Sequence, residues 1–111
     1  MQLQRERRGA VTVVTPEGPL TELDVDQFKG EALQQLEESL GRFVVDLSRV
    51  PFVDSRGLEV LLDLTEEMGG TGQSLKLCGV QETLRQVLDL TDLAPMFEYY
   101  EDAGAAARSF L

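Results

Sequence analysis

RFVVDLSRVPFVDSRGLEVLLDL, residues 42–64, carries a whole strand-to-helix transition, and its neighbours are best read from it. Residues 42–47 form a short apolar run without polar alternation, the pattern of a central strand covered on both faces. After Pro51 the apolar pair Phe52-Val53 gives way to an acid, a hydroxyl, a base and a glycine: Asp54, Ser55, Arg56, Gly57. Charged residues then fall at Arg56, Glu59, Asp63, Glu66 and Glu67, with Leu58, Leu61, Leu62 and Leu64 between them. That spacing predicts a helix over residues 55–68 that buries most of its circumference and shows one polar stripe. The glycine-rich run 69–72 ends it.

Upstream, residues 3–7 alternate weakly and predict an edge strand. AVTVVT, residues 10–15, is a β-branched strand that stops at the turn cluster Pro16-Glu-Gly-Pro19. Asp24 with Gln27 three residues on reads as a capping box for the first helix, and Leu23 with Phe28 as its hydrophobic staple. The apolar stripe of that helix is Val25, Phe28, Ala32, Leu36 and Leu40, ending at Gly41. Downstream, residues 74–78 (SLKLC) are a strand and residues 81–90 a helix marked by Leu84, Val87, Leu88 and the following Thr91. Pro95 breaks the chain before a last strand at residues 96–100 (MFEYY). Asp102 then caps a final helix whose face is Ala103, Ala106, Ala107 and Phe110. The order ββαβαβαβα, without repeat or linker, predicts one α/β domain over residues 1–111. Its sheet is mixed but mostly parallel, with four or five strands packed by four helices.

Twenty acids against ten bases leave a net charge of −10. Such a surface repels nucleic acid and anionic lipid, so proteins are the expected partners and direct nucleic-acid binding is not. The chain has no histidine, which removes the usual general base, serine activator and metal ligand. The sole cysteine, Cys78, excludes an internal disulfide and reads as a small buried hydrophobe. No EF-hand spacing occurs, and we expect no catalytic residue, metal or cofactor, hence no enzyme. The start of the chain lacks an apolar leader core and nothing later approaches a membrane span, so a cytoplasmic protein is expected. Monomer is the working expectation.

Three chemistries fit an acid and a serine at the mouth of a helix. A nucleophile elbow needs G-x-S-x-G, but Ser55 is preceded by Val53-Asp54, and no histidine exists to take its proton. A helix cap suits both residues, whose oxygens accept the first turn's orphan N–H groups. A phosphate switch also suits them, because a helix N-terminus tolerates an anion that an overlying partner would have to desolvate. Local sequence leaves cap and switch both open.

The run Val44-Val45-Asp46-Leu47-Ser48, followed after a short gap by Phe52-Val53-Asp54-Ser55-Arg56-Gly57-Leu58, resembles the STAS domain, and within it the bacterial anti-sigma-factor antagonists. The resemblance extends from the β-branched strand and Gly18 to Thr91-Asp92-Leu93 and the final helix. It implies partner switching: the unmodified protein binds an anti-sigma factor that is also a serine protein kinase, and the sigma factor is freed. Phosphorylation of the serine after the motif's Asp, here Ser55, releases the partner, and a phosphoserine phosphatase acts transiently to reset it. Asp54 then shapes the loop and contacts the partner, and Gly57 lets the partner's backbone come close. Apart from the resemblance, Arg56, Glu59 and Asp63 continue from Ser55 along one helix surface and are expected to extend that contact, with Arg56 able to pair with Glu59 or to lie against a phosphate on Ser55. Thr21 and Glu22 join from the turn before the first helix. Where the family often carries G-E-L-D this chain has Gly18-Pro19-Leu20-Thr21, leaving Glu22 and Asp24 as nearby acids out of register. Related STAS domains serve transporters or stress complexes without switching, and in that alternative Ser55 is only a cap. A two-component receiver phosphorylated on Asp46 would need an acidic pair after the first core strand, where Thr15-Pro16 stands.

Overall fold

The β-branched and apolar runs assemble into one five-stranded sheet. The computed structural model describes residues 1–69 and 73–111, so the expected helix stop at residues 70–72 lies outside the described residues. In chain order the elements are β1 (Gln2–Arg8), β2 (Val11–Glu17), α1 (Val25–Glu38), β3 (Phe43–Asp46) and α2 (Ser55–Gly69). There follow β4 (Leu75–Cys78), α3 (Glu82–Leu90), a 3-10 turn (Ala94–Met96), β5 (Phe97–Tyr100) and α4 (Ala103–Arg108). The strands lie in the order β1-β2-β3-β4-β5, with β1 antiparallel to β2 and every other neighbour parallel. This is the mixed, mostly parallel sheet with four helices that the alternation predicts.

Because β2 to β5 advance in one direction, right-handed crossovers lay α1, α2 and α3 on the same face. There Val14, Val45 and Leu77 of the sheet pack with Phe28, Leu61, Leu64 and Leu88. The pleat sends alternate residues the other way, and Val13, Val44 and Cys78 form a smaller cluster with Ala106 and Ala107 of α4. Their small side chains let α4 lie close to the sheet, and β3 is covered on both faces as its apolar run requires. Burial pushes the Cys78 thiol up to about 12, with the Asp46 carboxylate adding to the effect, so this residue packs rather than reacts. Lys76 reaches out on the α4 side, where its Nζ donates to Ser109 Oγ at 2.6 Å and lies 3.9 Å from the Phe110 ring centroid. That cation–π contact pins Phe110, which lies beyond the end of α4.

Four local expectations are corrected. β2 continues through Pro16 to Glu17; its pairing with β3 stops at Val14, so no central-strand N–H is missed at the proline. Asp24 stands at the N-cap of α1 but its side chain caps nothing, because φ −117° and ψ −11° are helical and not extended. Asp24 instead lies 3.5 Å from the Met1 amine, and Gln27 Nε2 donates to the Met1 carbonyl at 3.0 Å. The turn into α1 is made by backbone, with the N–H groups of Asp24 and Val25 donating to the Thr21 carbonyl at 2.9 and 3.0 Å. Leu23 is 89% exposed, so no staple forms, and Leu40 leaves the apolar stripe at 82% exposure with φ 55°.

Candidate functional site

The C-terminal ends of parallel strands are where loops of an α/β sheet gather, and the loops after β2 and β3 are stitched together there. Asp46 Oδ1 accepts the Ser48 N–H at 2.9 Å and closes the turn leaving β3. The chain then runs beside residues 18–22. Gly18 N–H donates to the Arg49 carbonyl at 3.1 Å, Leu20 N–H to Phe52 at 3.1 Å, and Asp54 N–H to Leu20 at 3.0 Å. Leu20 and Val53 form a parallel bridge, and Leu20 is fully buried beneath it. This ladder brings Thr21 and Glu22 beside Asp54 and Ser55, although more than thirty residues separate them in sequence.

Asp54 is the cap of α2. Its Oδ1 accepts the Gly57 N–H at 2.9 Å, and its Oδ2 accepts the Glu22 N–H at 3.0 Å. One carboxylate therefore starts the helix and holds the neighbouring loop. The Gly57 N–H is the largest cause drawing its pKa below the ordinary value of 3.8; desolvation opposes it, while the Glu22 and Arg56 N–H groups and the Arg56 charge assist. A depressed folded pKa means the stabilisation is present above the unfolded value and lost as pH falls through the folded one. Asp54→Asn is thus expected to melt below wild type at about pH 7, with the gap narrowing as pH falls below the ordinary carboxylate value and the Asp54 side chain becomes protonated. Melting curves across that range check it, and a gap independent of pH would contradict it.

Gly57 has a neighbour close by, but an internal one. A Cβ there would stand 2.4 Å from Val53 Cγ1 and 2.6 Å from the Leu20 carbonyl oxygen. The residue is buried, so the space expected for a partner's backbone is already filled by the stitched loop. The glycine lets α2 start against that loop.

Ser55 is the first residue of α2 and is exposed. Its hydroxyl has no hydrogen-bond partner among the described residues. Capping and the free hydroxyl, which the sequence leaves mixed, belong to two different residues. Arg56 and Glu59 are both exposed and pair at 3.5 Å across one turn. Asp63 lies about 12 Å along the axis from Ser55, where its Oδ2 accepts Lys29 Nζ at 3.0 Å and ties α2 to α1. Its carboxylate serves the helix pair first.

Two side chains that the sequence reading left out of the site also lie at this end. Leu23 is 89% exposed beside Glu22, and Phe52 is 52% exposed on the other side of the ladder. The signal for Phe52 was present: in an extended segment bridged at Val53, alternate side chains point apart, so Val53 turns inward and Phe52 outward.

A family model described as STAS domain matches residues 2–106. BtrV of Bordetella bronchiseptica is 24% identical over 110 residues, 99% of this chain and 95% of its own. The anti-sigma F factor antagonist of Paenibacillus polymyxa is 24% identical over 107 residues, 92% of this chain and 88% of its own. Among solved structures, the anti-sigma factor antagonist SpoIIAA in its unphosphorylated form superposes with a TM-score of 0.71 at 18% identity, covering 98% of this chain and 96% of its own. The phosphorylated form of the Bacillus protein gives 0.70 at 20% identity, covering 97% and 99%. At such identities superposition speaks for the fold alone. No helix among the described residues is long and apolar enough to cross a membrane.

Proposed function

The chain belongs to the STAS domain family, and from that premise we propose that it is an anti-sigma factor antagonist working by partner switching at Ser55. The observation that carries the reading is the exposed, unengaged hydroxyl at the first residue of α2, next to an aspartate that does all the capping. The unmodified protein docks an anti-sigma factor that is also a serine kinase. Transfer of the γ-phosphoryl group of ATP to Ser55 Oγ, with loss of the hydroxyl proton and departure of ADP, ends that docking; a phosphatase hydrolyses the ester and restores it. A relative named for antagonism of an anti-sigma factor, and a fold neighbour known in unphosphorylated and phosphorylated forms, support this reading.

The surface explains how one hydroxyl governs binding. Leu23 and Phe52 present apolar area on the two stitched loops that meet beside Ser55. A partner that covers them makes a dry contact at this end of the molecule, where a small neutral hydroxyl is tolerated. A phosphate there brings about −1.5 to −2 charges that must be stripped of water or left without a partner. Glu22, held beside Asp54, supplies an acid at the turn in place of those absent from residues 18–21.

Leu23→Ser and Phe52→Ser are each expected to weaken binding to the kinase partner by about tenfold; the melting temperature should be unchanged for Leu23→Ser, whose side chain is already in water, and slightly lowered for Phe52→Ser, whose ring is only 52% exposed. Calorimetric titration with the purified partner measures this. Full affinity in the double variant would remove these loops from the interface.

A further inference from the structure

Arg5, Arg8, Lys29, Arg49, Arg56 and Arg85 each lie within 3.9 Å of a carboxylate oxygen. Among the described residues Arg7, Arg42, Lys76 and Arg108 have no such partner, and Lys76 is taken up by Ser109 and the Phe110 ring. In a chain with twenty acids and ten bases, an arginine without an acid is the exception, and all three exceptions occur at one end of the sheet. Arg7 lies at the end of β1, Arg42 at the start of β3 and Arg108 at the end of α4. This is the end opposite to Ser55.

Arg42 and Arg108, with Arg8, line a cavity of about 460 Å³ bordered by Val11, Ala107 and Phe110. Arg7 adjoins it through a smaller groove that Arg42 shares and that also contains Glu38. Arg8 is bound through Nε to Glu6 at 2.6 Å, yet its Nη1 still turns toward the cavity. A Cβ placed on Gly104 would stand 3.2 Å from Arg108 Nη1 and 3.8 Å from Arg8 Nη1. Two guanidinium groups therefore converge on one point. Asp102 Oδ1 is also close to that point, at 3.3 Å; it accepts the Ala105 N–H at 2.8 Å and keeps its charge, so one carboxylate stands against two guanidinium groups there. Arg8, Arg42 and Arg108 together outnumber that carboxylate around the cavity, and a further anion relieves their mutual repulsion.

We infer that this cavity binds a small oxyanion carrying a short apolar body, with a phosphate monoester or carboxylate as its head. Guanidinium forks match the paired oxygens of such groups and hold them in a fixed orientation. Val11, which is 4% exposed, Ala107, which is 9% exposed, and the Phe110 ring take the hydrocarbon. The volume falls within the range of small-molecule sites. The inference is independent of the switch at Ser55, because it uses neither that surface nor its partner.

Titration of the full ¹⁵N-labelled chain with hexyl phosphate, hexanoate, inorganic phosphate and hexanol, followed by NMR, tests it. Hexyl phosphate or hexanoate is expected to give saturable shifts at Gly9, Val11, Gly104 and Ala107, and the tighter of the two names the head group. Inorganic phosphate should bind at least about fivefold more weakly than hexyl phosphate, and hexanol should not saturate. Arg42→Gln with Arg108→Gln should raise the dissociation constant by about tenfold or more. Both side chains are exposed, so an unchanged melting temperature verifies that the variant is folded. The inference is overturned if neither hexyl anion saturates these sites, if hexanol or inorganic phosphate binds equally well, or if the folded double variant binds like wild type.

Discussion

Ser55→Asp is expected to bind the kinase partner about a hundredfold more weakly than wild type, while Ser55→Ala binds as wild type does and is not released by ATP. A hundredfold loss is about 2.7 kcal/mol, a modest charge for burying a carboxylate under a docked surface without a counter-ion. The local geometry makes the effect specific to binding. The Ser55 hydroxyl has no internal hydrogen bond to lose, and the first turn of α2 favours a negative charge. Both variants should therefore melt at or slightly above the wild-type temperature. The Gly57 N–H chiefly holds the Asp54 pKa below its ordinary value and so favours its carboxylate form beside the new charge, and the two acids add rather than cancel. Indistinguishable affinities for wild type, Ser55→Ala and Ser55→Asp would take Ser55 out of the docking surface.

Gly57→Ala should be the most damaging small substitution in the site, costing about 2–4 kcal/mol of stability. Alanine is preferred over glycine in a helix by about 1 kcal/mol, so propensity alone predicts the opposite sign. Packing decides. The new methyl would meet Val53 Cγ1 at 2.4 Å and the Leu20 carbonyl oxygen at 2.6 Å. The valine can rotate, but the carbonyl accepts the Asp54 N–H at 3.0 Å, and moving it unpicks the ladder between the two loops. Gly30 in α1 is the control: a Cβ there meets nothing within 4 Å, so Gly30→Ala should gain about 0.5–1 kcal/mol. Urea denaturation of both variants separates propensity from packing. A Gly57→Ala protein as stable as wild type would mean that the loops are not held as described.

The architecture was legible because each element has its own periodicity. The apolar run at residues 42–47, the leucine-rich helix after it and the alternation of strands and helices give the order of elements and a mixed, mostly parallel sheet before any contact is known. Helix starts were less legible. Asp24 with Gln27 has the spacing of a capping box, yet capping depends on backbone dihedrals that spacing does not encode, and Asp24 is already helical. Asp54 and Ser55 are equally good caps by residue type; only the two hydrogen bonds made by Asp54 separate them. Gly57 looked like room for a visitor because the residue it accommodates, Leu20, lies far upstream. Leu23 was assigned inward by a staple pattern and is found outside. Gly57 and the choice between Asp54 and Ser55 depend on contacts between the loops after β2 and β3, which are distant in the chain, whereas Asp24 and Leu23 depend on the backbone geometry of the turn into α1.

The most direct test of the account is to phosphorylate the wild-type protein with its kinase and ATP, map the modified peptide, and compare partner affinity and melting temperature before and after. The account predicts phosphate on Ser55, affinity lowered by about a hundredfold or more, and an undiminished melting temperature. Phosphate on another residue with Ser55 untouched, or a Ser55-phosphorylated protein that still binds with full affinity, would contradict it.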